Sequence, residues 1–379
     1  MENQQRNIST WQLTSILIST MIGVGILTIP RTSTTDIHQM GWLGTITGGM
    51  IAAIAIASIV YLGKQFPGTT YVDYIPKVFG HRVGTVLSYP IILLFIFFQF
   101  INAGMAARGF GEVVVTSVLQ DTPLEAILIT LFIMVLFLCC HEVEVVARVN
   151  ELLIPFILVP VFLIPLASFM NADWYNLLPF HIDSWKEVGK TSLHTFSVFT
   201  GYELLMFYFA FAMPGAKLGI AGGTGLGYTI AAYFLTVVAG ISVFGHEELQ
   251  RLIWPTLELV KTTQQSGWFL ERLESAFLAI WVASVFTTIG NMYYAMIFSL
   301  RLWFRQGIRF QRISALVITV PLYYFALMPQ NIVELFSYTK KMTKFGYFPT
   351  IVIPILLALI QWIRVKLGSR RENSKKGGT

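Results

Sequence analysis

The residue with the most chemistry to account for is Glu203, an acidic side chain in the middle of an otherwise Asp-, Glu-, Lys- and Arg-free apolar run, 191–216. A carboxylate at hydrocarbon depth costs about 3 kcal/mol unless it is protonated, paired or bound to a cation. Two readings stay open: a fixed pair with Arg31 or Arg108, or a gate or proton-sensitive switch. Beside it lies Gly201, and the first apolar run, 12–30, carries Gly23-Val24-Gly25 followed by Pro30. Mid-helix glycine loosens the backbone, and a loosened backbone in lipid must line a cavity or be covered by protein. The half-helix after Gly25 would present N–H groups and a positive dipole end to a carboxylate. Carbonyls freed at Gly23 and near Thr200–Gly201 would accept from an ammonium. Gly23, Val24, Gly25 and Ile26 are therefore candidate substrate-binding residues, with Thr200, Gly201 and Tyr202 as their counterparts.

Two further apolar runs carry polar groups at helical spacing. In 83–107, Phe98 and Asn102 stand one turn apart and share a face. In 275–300, Thr288 and Met292 share one face, and Thr287 and Asn291 the next. The competing reading for Asn102 is a bond to a neighbouring helix, and for each threonine a bond back to its own helix. Arg108 and Glu112, four apart, are placed to neutralise each other.

Lipid must position these residues. Only 12% of the 379 residues are charged and 55% are hydrophobic, with a mean hydropathy of +0.66; a soluble domain carries roughly 25% charged residues. A spanning helix needs about 20 mostly apolar residues. Stretches without Asp, Glu, Lys or Arg run 12–30, 42–63, 83–107, 126–140, 152–172, 218–245, 275–300, 313–333 and 345–363, and 191–216 adds a tenth around Glu203. Placing the N-terminus in the cytoplasm puts most Lys and Arg inside, including Arg301, Arg305, Arg309, Arg312 and the tail from Arg364 to Lys376. Lys340, Lys341 and Lys344 then fall outside, against the trend. The irregular runs are the first and the sixth. Five spans repeated in tandem must invert, and inverted repeats whose broken first helices meet at the midplane build the binding sites of many secondary transporters. The expected fold is an all-α polytopic membrane protein of about ten helices, a leucine-transporter-like 5+5 inverted repeat with helices 1 and 6 broken. The repeats cover about 11–170 and 191–365 of a single permease-like domain, ahead of a basic tail, 366–379. In such folds the hydroxyls of Thr287 and Thr288 hold either ligand or sodium.

Other chemistry is not expected. The histidines are scattered, and His246-Glu247-Glu248 lacks the second histidine of a zinc helix. The nucleophile-elbow and phosphate-loop patterns are missing, so neither an enzyme nor a cofactor nor a metal is anticipated. Adjacent Cys139 and Cys140 do not suit a disulfide, and nothing suggests nucleic acid. Gly215, Gly219, Gly223 and Gly227, spaced by four, are expected to let another helix approach. The loop from His246 to Glu274, with Trp254, Pro255 and Trp268, is expected to form an interfacial helix or a partner-docking surface.

The residues then carry a resemblance. TMIGVGILTIPR (Thr20–Arg31) with Gly41-Trp42, AARGFGEVV (Ala106–Val114) with Asp121–Pro123, and EVVARVNELLIPF (Glu144–Phe156) occur in order. NLLPF (Asn176–Phe180), FTGYELLMF (Phe199–Phe207), RLIWPTLELVK (Arg251–Lys261), FLERLESAFLAIW (Phe269–Trp281) and LMPQN (Leu327–Asn331) follow. The ordered set resembles the spore germination permease family, the germinant receptor B subunits in a branch of the amino acid–polyamine–organocation superfamily. The resemblance implies a subunit in the inner membrane of the spore that senses a small-molecule germinant, an amino acid by expectation, beside germinant receptor A and C subunits. The alternative is a proton- or sodium-coupled amino-acid transporter.

Overall fold

The computed structural model describes residues 7–182, 184–263 and 273–376; apart from one two-residue pairing, the regular structure among them is helical. Span 1 is two helices, α1 (Thr10–Ile22) and α2 (Gly25–Thr34), bent by 58° across Gly23–Val24. Span 2 is α3 (Gly41–Gln65), and a short amphipathic helix α4 (Tyr71–Phe79) follows on the side that carries the N-terminus, labelled inner below after the expected orientation. Spans 3, 4 and 5 are α5 (His81–Ser117), α6 (Leu124–Cys139) and α7 (Val143–Ser168). Span 6 is α8 (Trp185–Phe196) and α9 (Leu205–Tyr208), separated by single 3-10 turns and an extended Thr200. Span 7 is α10 (Leu218–Arg251), followed by the outer helix α11 (Pro255–Thr263). Spans 8 and 9 are α12 (Leu273–Trp303) and α13 (Ile308–Leu327). Span 10 joins α14 (Ile332–Tyr347) to α15 (Ile353–Lys376) through a π turn at Phe348–Val352.

Seven of these helices are long and apolar enough to cross a membrane, and the bent pair of span 1 makes an eighth crossing. The two shorter apolar pieces, Leu124–Cys139 and the run ending Tyr202–Phe211, fill the fourth and sixth places. At about 1.5 Å per residue the 16 residues of α6 reach about 24 Å, a little short of the hydrocarbon core. Large apolar side chains such as Met50, Leu93, Phe97 and Phe137 are exposed on the outer faces, as a chain solvated by lipid requires.

The inner end is tied shut by the residues ahead of α1. Ile8 is fully buried and pairs with Ala212. Its N–H donates to the Phe211 carbonyl (3.1 Å) and its carbonyl accepts from Met213 N (3.0 Å). Ser9 and Gln12 form a reciprocal capping box. Gln12 Nε2 donates to Glu151 (2.8 Å) and the Thr10 hydroxyl accepts from Lys217 N (3.0 Å). These few residues staple span 1 to spans 5, 6 and 7.

Three expectations need correction. The glycine stripe is not the contact surface: built Cβ atoms at Gly215, Gly223 and Gly227 meet nothing within 4 Å, and at Gly219 only Val60 at 3.8 Å. The close approaches fall on the other face of α10, at Gly222 against Ile56 (2.7 Å) and Gly225 against Leu17 (2.6 Å). Trp254 is not at an interface with lipid: it is buried, 5.8 Å from the Phe336 ring, because α11 folds back over span 1. Trp268 lies outside the described residues, as do the last three residues of the tail. The cluster Lys340, Lys341 and Lys344 is not loop but the exposed face of α14.

Candidate ligand-binding site

Both breaks arise at glycine, and both are held by side chains from other spans. Gly201 adopts φ 121°, ψ −23°, a conformation that strains any residue with a Cβ, and a Cβ there would also meet Thr20 Cγ2 at 2.7 Å. A Cβ on Gly23 would lie 2.2 Å from Thr288 Oγ1. The two breaks therefore touch spans 1, 6 and 8 across glycine. Tyr233 of α10 donates its hydroxyl to the Met21 carbonyl (2.5 Å), with the Val198 carbonyl 3.3 Å away, so one side chain spans both breaks.

The carbonyls released by span 1 are already taken. Gly23 O accepts from the Trp281 indole (3.2 Å), Ile26 O from Thr256 (2.6 Å), and Ser19 O from Thr288 (2.7 Å). Thr288 also reaches Ser284 O (2.9 Å), and Thr287 bonds back to Ala283 and Ser284 on its own helix. Asn291 donates to Thr20 Oγ1 (2.8 Å) and Asn150 Oδ1 (2.9 Å), and Asn150 Nδ2 lies 2.8 Å from Asn291 Oδ1. Ser19 donates to Asn150 as well. Met292 and Ile26 are buried in the core beside this network, and Val24 packs near Gly109. The expected span 1 and span 8 residues are thus brought together, but as a self-satisfied polar cluster in which Asn150, Tyr233 and Trp281 are partners the sequence reasoning missed.

Three of the other expected residues, Phe98, Asn102 and Thr200, line a cavity of about 120 Å³ beside the span 6 break. Span 3 contributes Phe98, Asn102 and Met105; span 6 contributes Phe196, Ser197 and Thr200. The third wall is α14, with Thr339, Met342, Thr343 and Gly346; the sequence reading put the first three between the ninth and tenth apolar stretches and Gly346 in the tenth. Asn102 Nδ2 is buried there without a hydrogen-bond partner. Gly201 and Tyr202 do not line it; Tyr202 is fully buried and its hydroxyl donates to the Thr350 carbonyl (2.9 Å) at the π turn. Among the described residues no charged side chain lines the cavity. A larger cleft of about 540 Å³ opens between Lys64 and Lys217 at the inner ends of spans 2, 6 and 7, and none of the candidate residues lines it.

Glu203 is fully buried directly behind the break. Its carboxylate accepts from Gly201 N (2.8 Å) and from Gln99 Nε2 (3.0 Å). Neither arginine pairs with it. Arg108 pairs with Glu112 (2.5 Å), and Arg31 sits over the Phe336 ring at 5.3 Å. The ion-pair reading fails because a neutral amide and a backbone N–H already satisfy the carboxylate. Among the described residues no group of His, Cys, Asp or Glu could hold a metal ion, and both cysteines are free thiols.

The fold defines a class. The chain superposes on MhsT, solved in complex with L-phenylalanine, with a TM-score of 0.67 at 12% identity, covering 94% of this chain and 89% of that one. It also matches a Na+-coupled sialic acid symporter in a substrate-bound outward-open state, with a TM-score of 0.62 at 9% identity over 92% and 80%. This is an integral membrane protein with the leucine-transporter-like fold. The family is given by the sequence: the model of the Spore germination protein family matches residues 7–335, and the chain belongs to that family. Relatives include Spore germination protein YndE of Bacillus subtilis (strain 168), 28% identical over 93% of this chain and 96% of the relative. Spore germination protein A2 of the same organism is 25% identical over 96% and 98%, and Spore germination protein GerLB of Bacillus cereus is 22% identical over 94% and 94%.

Proposed function

We propose that this protein is the germinant-sensing membrane subunit of a spore germination receptor, and that the cavity between span 3, the span 6 break and α14 receives its ligand, a small nutrient of amino-acid type. The observation that carries the reading is Asn102: a buried amide donor without a partner, in a cavity bordered by a broken helix. A buried polar group left unpaired costs roughly 1–3 kcal/mol, which a ligand oxygen would recover. Phe98, Asn102 and Thr200 contact the ligand. Gly23, Val24, Gly25, Ile26, Gly201, Tyr202, Thr287, Thr288, Asn291 and Met292 hold the two breaks in register around it, and Glu203 fixes the turn at Gly201.

A ligand stabilises whichever arrangement of the breaks it binds better, and by no more than that difference. Sensing then needs a partner to read the arrangement, and the A and C subunits of a spore receptor fill that role in the spore inner membrane. On the inner side Arg301 is spoken for by Gln311 (2.9 Å) and Glu142 (3.6 Å), and Arg312 by the Cys140 carbonyl (3.1 Å). Arg305, Arg309 and Arg312 are exposed on that side, and of these Arg305 and Arg309 are the pair proposed to meet a partner.

A coupled transporter would share the fold and the cavity. Binding of a labelled amino-acid panel to protein in nanodiscs, set beside uptake into proteoliposomes, separates the two. Binding without uptake is the expected result; concentrative uptake would make the protein a transporter, and the absence of binding would remove the cavity as a ligand site.

A further inference from the structure

The cleft of about 540 Å³ at the inner end shares no lining residue with the cavity beside the span 6 break. It opens where the end of span 2 meets the link between spans 6 and 7. Its floor is apolar: Phe209 and Leu218 are buried there, and both lie so close to Gly63 that an added Cβ would meet each at 3.1 Å. Its mouth is apolar too, with Met213 and Ile220 exposed. Glycine keeps one wall bare: a Cβ on Gly219 would meet only Val60, at 3.8 Å. The volume lies within the roughly 300–1,000 Å³ typical of ligand sites.

Two cations stand on this apolar cleft. Lys64, in the last turn of α3, and Lys217, the residue before α10, both line it and are exposed. Among the described residues neither has an ion-pair partner, and no Asp or Glu lines the cleft. The first turn of α10 lies on the same wall, and no side chain caps it. Lys64 closes one membrane-crossing helix and Lys217 precedes another, so both sit at the membrane surface. Basic residues at that level attract anionic headgroups. A compact water-soluble anion would meet the lysines and leave Met213 and Ile220 facing water. An amphipathic anion, with its phosphate at the lysines and its tail on the apolar floor, satisfies both.

We propose that this cleft binds an anionic phospholipid of the inner leaflet, its phosphate held by Lys64 and Lys217 and an acyl chain laid over Phe209, Met213 and Ile220. The wall from Ala212 to Lys217 also carries the staple to the N-terminus, through Ile8 and Thr10. A seated lipid joins the end of span 2 to that staple, so occupancy stabilises the protein. The test uses delipidated full-length protein in detergent, titrated with phosphatidylglycerol, phosphatidylcholine or inorganic phosphate. Melting temperature is the readout, and native mass spectrometry counts bound lipid. Phosphatidylglycerol raises the melting temperature and stays bound; phosphatidylcholine and inorganic phosphate do neither. Lys64→Gln and Lys217→Gln each weaken phosphatidylglycerol binding about 5-fold, and the double variant about 25-fold. Gly219→Leu fills the cleft, keeps both lysines and abolishes binding. Lys77→Gln/Arg309→Gln, which removes two exposed cations from the same side outside the cleft, binds as wild type does. All variants melt as wild type without lipid. Protection by inorganic phosphate equal to that by phosphatidylglycerol would make this a site for a free anion and overturn the proposal. Equal weakening by the two double variants, or wild-type binding in Gly219→Leu, would reduce the attraction to diffuse surface charge. Equal binding of the two phospholipids would overturn the role of the lysines.

Discussion

Glu203 offers the sharpest test of how the span 6 break is held. Its two oxygens accept from Gly201 N (2.8 Å) and Gln99 Nε2 (3.0 Å), while Gln99 Oε1 is buried and unpartnered. In Glu203→Gln the new amide keeps its oxygen on Gly201 N–H and turns its NH2 toward Gln99. The Gln99 amide then rotates by half a turn and offers its idle oxygen. Both hydrogen bonds survive, so the expected loss is under about 1 kcal/mol. In Glu203→Ala both donors lose their acceptor inside the protein. Each costs roughly 1–3 kcal/mol, and the cavity left by the side chain adds to it, so a loss of about 3–6 kcal/mol is expected. The assay is thermal unfolding of both variants, purified in one detergent, with membrane abundance measured alongside. Near-equal destabilisation of the two variants would refute the argument, because it would mean that the negative charge, rather than its acceptor capacity, holds the turn.

Gly25→Ala places a Cβ 2.7 Å from Val198 Cγ1 and 3.1 Å from the Tyr233 hydroxyl, so span 1 and span 6 must part slightly; a lower melting temperature together with a weakened germination response is expected. Gly25→Leu cannot be seated and should be lost from the membrane, visible as missing protein on an immunoblot rather than as silent protein. Asn150→Ala strips the partner of Asn291 and Ser19 and should cost about 1–3 kcal/mol in thermal unfolding. Arg364→Gln removes the guanidinium that donates to the Lys77 and Val78 carbonyls at the end of α4 (2.6 and 2.5 Å). It should speed proteolysis at the α4 end while leaving ligand affinity unchanged.

The two breaks were legible because glycine and proline punctuate apolar runs that otherwise admit only helix. Asn102 stands out in the sequence because an amide at mid-span is expensive, and Phe98 only as its neighbour one turn away; the structure puts both on one cavity wall. What faces the breaks was harder to see. Tyr233 and Trp281 sit in unremarkable apolar stretches, and only their placement turns a hydroxyl and an indole into caps for freed carbonyls. Glu203 invited an arginine because charge suggests charge, yet Gln99, an amide visible in span 3, was enough. The α14 wall was hidden by its lysines: three charges within five residues look like a loop, while the apolar and hydroxyl face runs between them at helical spacing.

The pairing of Ile8 with Ala212 has a consequence for how the protein is made. The partner carbonyl of Ile8 belongs to Phe211, so the first crossing cannot be finished at its inner end until some two hundred further residues have left the ribosome. At about 5–20 residues per second this is a wait of roughly 10–40 s. During that interval the Ile8 backbone faces water, and Glu144 and Glu151 of span 5 reach the membrane before the sixth crossing exists. Assembly of the inner face is therefore ordered by synthesis: span 5 can engage Gln12 first, and the Ile8 staple closes last, once both broken crossings are in place.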